Sequence, residues 1–322
     1  MITKQDVLEA EKRIADWVWR TPLVKSEWLS DQMKRPVFLK LENLQRTGAF
    51  KIRGVLNKVM SLSEKEIKAG LVCATSGSHG LAVGLAGQIV SSQVLVVVPR
   101  FTPEVKIRRL RQRAKVVVFG ETYQESYLFA IEEAKKKKMT LIHGFDDPLV
   151  IAGQGTVGLE ILKTRSSIKT VIVPIGGGGL VAGMLVALKE TVPGIRVVGV
   201  QAAEAPSMYL SWKERHVVEL PRVETIAEGI AVKKPGNLTF EIVQRYIDEI
   251  VLVTEEEIKT AVITLLEECR VLAEPAGSVA IAALLSNKVS DRAEEWVGVV
   301  TGGNIELAVL AKLRGGTSEN QN

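Results

Sequence analysis

Short runs of β-branched residues, nearly all apolar, alternate along this chain with longer amphipathic segments, and that alternation narrows the fold more than any other feature. Val37–Leu41, Val94–Val98, Val116–Phe119, Val171–Ile175, Val197–Val200 and Val297–Val300 offer almost no polar face to water. Such runs suit strands covered on both sides, as in a parallel sheet. The segments between them have helical length and period. In Thr254 to Arg270, Thr254 and Glu257 stand at capping-box spacing, and Ile258, Val262, Leu265, Leu266 and Cys269 form an apolar stripe. The pattern predicts a doubly wound α/β fold. A length of 322 residues allows two domains or one large unit, and no low-complexity linker or solenoid-period repeat marks a boundary. The small, polar tail from Gly315 to Asn322 is expected to fray.

The formal net charge of +5 raises the question of nucleic acid. Lys106 to Arg113 reads as one side of a surface helix. In Glu132 to Lys138, Glu132 faces Lys136 and Glu133 faces Lys137 at i,i+4 spacing. Neither cluster carries a recognition motif or interleaved aromatics, so no nucleic-acid partner is expected. Met1 to Trp19 is studded with charges, unlike a secretory leader, and no apolar run approaches the ~18 residues of a membrane span. Cys73 and Cys269 sit in apolar contexts without metal-ligand spacing, which reads as free thiols in a reducing cytosol. A cytoplasmic enzyme acting on a small molecule fits these features.

Two segments carry chemistry. Lys51 follows the turn-forming Thr47-Gly48 and aromatic Phe50 and precedes a helical pattern. A lysine partly desolvated near a helix start loses its proton more easily and can attack an aldehyde. Downstream, the strand Val171–Ile175 runs into Gly176, Gly177, Gly178 and Gly179. Four glycines suit a backbone nest around one phosphate at a helix N-terminus. Gly177, Gly179 and Ala182 also satisfy a dinucleotide fingerprint, although the next strand ends at Gln201 where that fold wants an acid. Both readings stand at this point. Thr75, Ser76, Gly77, Ser78 and His79 follow the strand-like Leu71–Ala74 and open a helix at about Leu81, where amides and hydroxyls could grip a carboxylate or a serine could simply cap. His79, His143 and His216 lie in unrelated contexts and make neither a zinc site nor a catalytic triad. No metal site is expected.

Together these residues resemble the threonine/serine dehydratase group of pyridoxal-phosphate enzymes, which share the tryptophan-synthase-β-like fold (fold type II) and include serine racemase. The resemblance runs from Arg20-Thr21-Pro22-Leu23 to Thr301-Gly302-Gly303-Asn304. It includes Leu41 to Gly54, Ala152 to Thr156, the tetraglycine, Thr225 to Gly236 and Glu274-Pro275-Ala276-Gly277. It implies pyridoxal 5'-phosphate as cofactor and favours the phosphate reading of the glycines. By it Lys51 matches the Schiff-base lysine, Phe50 the residue beside the ring, and Gly176 to Gly179 the phosphate loop. Glu274 matches a glutamate near the cofactor, and Thr301 the hydroxyl that meets the pyridine nitrogen. Ser76 aligns with the serine facing Cα opposite the lysine in racemases. The Ser76 to His79 loop matches the one that holds substrate carboxylate and ring oxygen.

The chain departs from that pattern at two places near the substrate: Ser78 stands where asparagine is common, and Glu228 where aspartate is usual. The acidic metal positions of metal-dependent relatives correspond to Gln201, Ala205 and Ser207. The resemblance implies two doubly wound α/β domains, with 1–68 and 148–322 anchoring the cofactor and 69–147 swinging to close over substrate. A homo-oligomer is implied, and feedback through a C-terminal regulatory domain is not expected. The implied reaction is β-elimination from L-threonine or L-serine to a 2-oxo acid and ammonia. The alternatives are a specialised substrate (3-hydroxyaspartate, phenylserine or an ectoine-pathway intermediate), serine racemisation, or a non-catalytic ligand sensor.

Overall fold

The nearly continuous apolar runs become central strands. In the computed structural model, which describes residues 2–289 and 295–315, ten strands among those residues form two sheets. They are β1 (Leu23–Lys25), β2 (Val37–Leu41), β3 (Leu71–Ala74), β4 (Val94–Val98), β5 (Lys115–Val118), β6 (Thr140–Leu141), β7 (Thr170–Pro174), β8 (Arg196–Ala202), β9 (Glu249–Val253) and β10 (Trp296–Val300). One sheet has the order β1-β2-β10-β7-β8-β9 and the other β5-β4-β3-β6. Every pairing is parallel except β1 with β2.

Both sheets are covered on both faces, as a doubly wound fold requires. One face of the larger sheet packs on Ile151, Val157, Val181 and Leu185, from helices Pro148–Thr164 and Gly179–Lys189. The other face packs on Val279, Ala280 and Ala283 of helix Pro275–Leu285. The smaller sheet is flanked by Val83 and Ile107 on one side and Ala130 on the other. Helix Pro148–Thr164 approaches both Gly179–Lys189 and Ile52–Val59 closely. A Cβ on Gly183 would lie 2.2 Å from the Ile151 carbonyl, and one on Gly153 2.6 Å from that of Arg53. The run Ala152 to Thr156 is therefore a helix-packing seam.

Beneath Lys51 lies a buried charge cluster. Arg53 pairs with Glu42 and Glu160, each at 2.7 Å, and Lys40 pairs with Glu160 at 2.5 Å. Burial opposes the charge on Glu42, but the Arg53 guanidinium outweighs it and holds the carboxyl below its usual range. Two cations and two anions thus lock β2 and the helices Ile52–Val59 and Pro148–Thr164 together.

The sequence reading needs adjusting: β7, β8 and β10 each start one residue before their predicted runs, β7 ends at Pro174 and β8 extends to Ala202. β5 starts one residue earlier than the run Val116–Phe119, and β1, β6 and β9 are additional strands. The capped helix is Glu255–Glu267, with Thr254 and Glu257 in the predicted capping box but Cys269 past its end. The helix after β3 begins at Ser78 rather than Leu81. Of the tail expected to fray, residues 316–322 lie outside the described residues.

Candidate active site

Each chemistry-bearing segment follows the carboxyl end of a parallel strand: Lys51 after β2, Thr75–His79 after β3, the tetraglycine after β7 and Thr301 after β10. Between β9 and β10 the chain crosses back to insert β10 between β2 and β7. Such a switch point opens a crevice at the strand ends, where α/β folds bind ligands.

Lys51 sits just before helix Ile52–Val59. Its loop is stitched to the end of β10: Phe50 N–H donates to the Thr301 carbonyl at 3.1 Å, and Gly303 N–H to that of Gly48 at 2.9 Å. The Lys51 Nζ donates to the Gly144 carbonyl at 3.3 Å and lies 5.0 Å from the Phe50 ring centroid. Burial lowers its pKa to about 8, against a raising pull from Glu274. The free amine is thus populated near neutral pH.

The glycines turn from β7 into the 11-residue helix Gly179–Lys189, with Gly178 as N-cap at φ +98°. The ring of Phe145 packs so closely over Gly177 that a Cβ there would lie 2.5 Å from it. Thr239 Oγ1 donates to the Gly177 carbonyl at 2.7 Å, and the loop's far side meets Ile230. This rigid cradle has no room for side chains and ends on the positive pole of a helix, a setting for a phosphate. Gln201 is buried, with its Oε1 accepting from Tyr209 N–H at 2.7 Å and its Nε2 unpaired.

In the loop after β3, Thr75 Oγ1 accepts from Gly77 N–H at 2.9 Å, and Gly77, not a serine, is the N-cap. Ser76 and Ser78 are half-buried. Ser78 Oγ accepts from Asn304 Nδ2 at 2.9 Å. His79 is buried and hydrogen-bonds the Ile142 carbonyl at 2.9 Å, and burial, reinforced by the nearby Lys51 charge, drops its pKa to about 3. It is a neutral imidazole.

Glu274 stands at the N-cap position of helix Pro275–Leu285 without a side-chain cap bond, and a Cβ on Gly302 would lie 2.3 Å from its Oε1; the neighbouring Thr301 hydroxyl donates to the Ala276 carbonyl at 3.3 Å. Burial raises the Glu274 pKa to about 7, with Lys106 and Lys51 opposing and Glu228 assisting. Glu228 lies at the rim, 2.6 Å from Lys106.

A tuned primary amine, a glycine cradle at a helix N-terminus and a neutral hydroxyl across the crevice form the donor set that pyridoxal phosphate needs. The family profile described as "Pyridoxal-phosphate dependent enzyme" matches residues 14–302. The chain belongs to that family. Its cofactor is pyridoxal phosphate, which closes the dinucleotide alternative. The chain is 44% identical over 314 residues to an L-threonine ammonia-lyase of Thermotoga maritima, covering 97% of this chain and 78% of that one. It superposes on maize serine racemase with a TM-score of 0.93 at 30% identity, covering 98% of this chain and 97% of the other. A threonine deaminase isoform from Solanum lycopersicum gives 0.91 at 36% identity, with 97% and 87% covered. The fold is fold type II, as the resemblance implied.

Several members of the site were not read from sequence. Phe145, Lys106, Asn304 and Glu306 reach it from distant segments, and only Asp147-Pro148, an N-cap followed by N1 proline, was locally legible near Phe145. His143 organises its own turn, its Nδ1 accepting from Asp146 N–H at 2.8 Å, and His216 is remote and bonded to Glu214. Gln201, Ala205 and Ser207 are buried, and among the described residues no group of three His, Cys, Asp or Glu could hold a metal. No helix among them is long and apolar enough to cross a membrane.

Proposed function

We propose that this protein is a pyridoxal-phosphate-dependent ammonia-lyase that dehydrates and deaminates L-threonine and L-serine, releasing 2-oxobutanoate or pyruvate with ammonia. The observation that carries the reading is the Lys51 amine. It is partly buried, tuned to about pH 8 and held against the end of β10 by the Phe50–Thr301 bond. The 44% identity to an L-threonine ammonia-lyase supports the substrate.

Lys51 would anchor the cofactor, with Phe50 serving the ring, Gly176 to Gly179 the phosphate and Thr301 the pyridine nitrogen. The bound cofactor supplies an electron sink for the pair left at Cα. Thr75 to His79 hold the substrate carboxylate, and Glu228 lines the distal end. The Lys51 amine, freed once the substrate amine takes its place, would accept the Cα proton as general base. The β-hydroxyl then leaves as water, with a proton delivered from Ser76 or from a group near the phosphate, and the released enamine takes up one water to give the 2-oxo acid and ammonia. Glu274, poised near pH 7, adjusts the charge beside Lys51. A neutral Thr301 hydroxyl cannot hold a proton on the ring nitrogen as an aspartate would, which favours prompt elimination over long-lived carbanions.

In this reading residues 69–147, which contain the smaller sheet, form the mobile domain, and residues 1–68 with 148–322 form the anchoring one. We place the enzyme in the cytoplasm as a homo-oligomer, in keeping with two free cysteines. The superposition on maize serine racemase favours one second reading, racemisation of serine with Lys51 and Ser76 on opposite faces. Chiral analysis of serine recovered from wild-type and Ser76→Ala enzyme separates the two. D-serine that vanishes in the variant supports racemisation, and its absence from both supports elimination alone.

A further inference from the structure

The mouth of the site carries an unbalanced set of charges. Lys106, on helix Glu104–Arg111 beside the smaller sheet, reaches across to the larger unit. Its Nζ lies 2.6 Å from Glu228 Oε2 and 3.8 Å from Glu306 Oε1. Glu228 begins the short turn Glu228–Ile230, whose Ile230 backs the phosphate loop: a Cβ on Gly176 would lie 3.0 Å from Ile230 Cα. Behind it stands Glu274, whose Oε1 would lie 4.0 Å from a Cβ on Gly229. The charged groups acting on Glu274 are Lys106, Glu228 and Lys51. Lys51 is committed to cofactor and proton transfer. One ammonium thus faces three carboxyls, and its charge is already shared between two of them.

We infer that Lys106, Glu228 and Glu306 form a cross-sheet charge filter that admits amino acids with neutral β-substituents and rejects those bearing a β-carboxylate. This rests on the ammonia-lyase reading and narrows its substrate class. A substrate such as 3-hydroxyaspartate brings a second anion to a mouth whose single cation is taken, and like charges a few ångströms apart repel. L-threonine and L-serine bring none. Glu228, one methylene longer than the aspartate usual in the resemblance, is what reaches Lys106 across the mouth.

The test compares kcat/KM for L-threonine and for L-threo-3-hydroxyaspartate in the cofactor-loaded enzyme, measured as 2-oxo acid release. The wild type is expected to prefer threonine by about 100-fold or more. Glu228→Gln and Glu306→Gln should each narrow that ratio by on the order of tenfold, the effect of one charge at this range. The narrowing should come mainly through a lower KM for the anionic substrate. Lys106→Met should widen the ratio, and raising salt from about 50 to about 500 mM should shrink the wild-type preference by screening. A packing role for these residues would not respond to salt. Equal use of both substrates overturns the filter, as does a ratio that neither glutamine variant nor salt moves. In both cases threonine turnover still stands. Release from neither substrate removes the ammonia-lyase reading, and the filter with it.

Discussion

Asn304 Nδ2 donates both to Ser78 Oγ and to the Thr47 carbonyl, each at 2.9 Å. One amide therefore ties the first turn of the helix after β3 to the loop that delivers Lys51. Ser78, where the resemblance leads one to expect asparagine, is met by an amide from the opposite side. Asn304→Ala removes both bonds, each worth about 1 kcal/mol. The expected result is cofactor binding weakened by about tenfold in an absorbance titration, with kcat at saturating cofactor changed less.

With Lys51 as the proposed anchor, its pKa sets how the cofactor-free protein captures pyridoxal phosphate. Its folded value, about 8, lies below the ordinary lysine value, so the reactive free amine is gained as pH rises through 8 rather than through the usual 10.5. Capture rate, followed by stopped-flow absorbance, should climb between about pH 7 and 9 and then level off. Glu274 pulls the Lys51 pKa upward, so Glu274→Gln should shift the midpoint to lower pH. A midpoint near pH 10 in the wild type would show that Lys51 is not desolvated.

The glycine cradle proposed for the phosphate has no room for side chains. Gly178 has φ +98°, and a Cβ there would lie 2.7 Å from Met208 Cε and 2.8 Å from Thr239. Gly178→Ala should cost about 1–3 kcal/mol of stability through strain and crowding. It should weaken cofactor affinity by at least about tenfold, measured by equilibrium dialysis. Wild-type affinity in that variant would place the phosphate elsewhere.

The buried Arg53 cluster predicts a contrast in stability. Glu42→Gln leaves Arg53 partly uncompensated in the interior and should cost about 3–5 kcal/mol. The Lys25–Glu27 pair is exposed, 42% and 74%, so Glu27→Gln should leave the melting temperature nearly unchanged. Thermal denaturation of the two variants side by side measures the difference.

Local chemistry was legible in this sequence, and long-range contacts were not. β2 and β4 match their apolar runs residue for residue because both faces are buried, so every position must be apolar or paired. β1 and β6 have three and two residues, too few to show a period, and β9 has intermediate exposure at Glu249, Val251 and Leu252. Lys51 and the tetraglycine were readable because each carries its turn and helix start in adjacent residues. Asn304 and Ser78 lie 226 positions apart, and Lys106 and Glu228 122 apart. The resemblance marked Ser78, Glu228 and the motif ending at Asn304, but nothing local gave the pairings or set Lys106 apart from a surface lysine; only the folding of two sheets toward one crevice brings the partners together. Ala152 to Thr156 shows the reverse case. It helped carry the resemblance, yet its glycines serve helix packing.

The most direct test of the account is 2-oxo acid release from L-threonine and L-serine by the purified, cofactor-loaded protein, beside Lys51→Ala. The account predicts steady production of 2-oxobutanoate and pyruvate with equal ammonia, and loss of at least about three orders of magnitude in the variant, which removes both the anchoring amine and the base. Turnover that survives in Lys51→Ala, or a wild type that binds the cofactor and releases neither product, would contradict it.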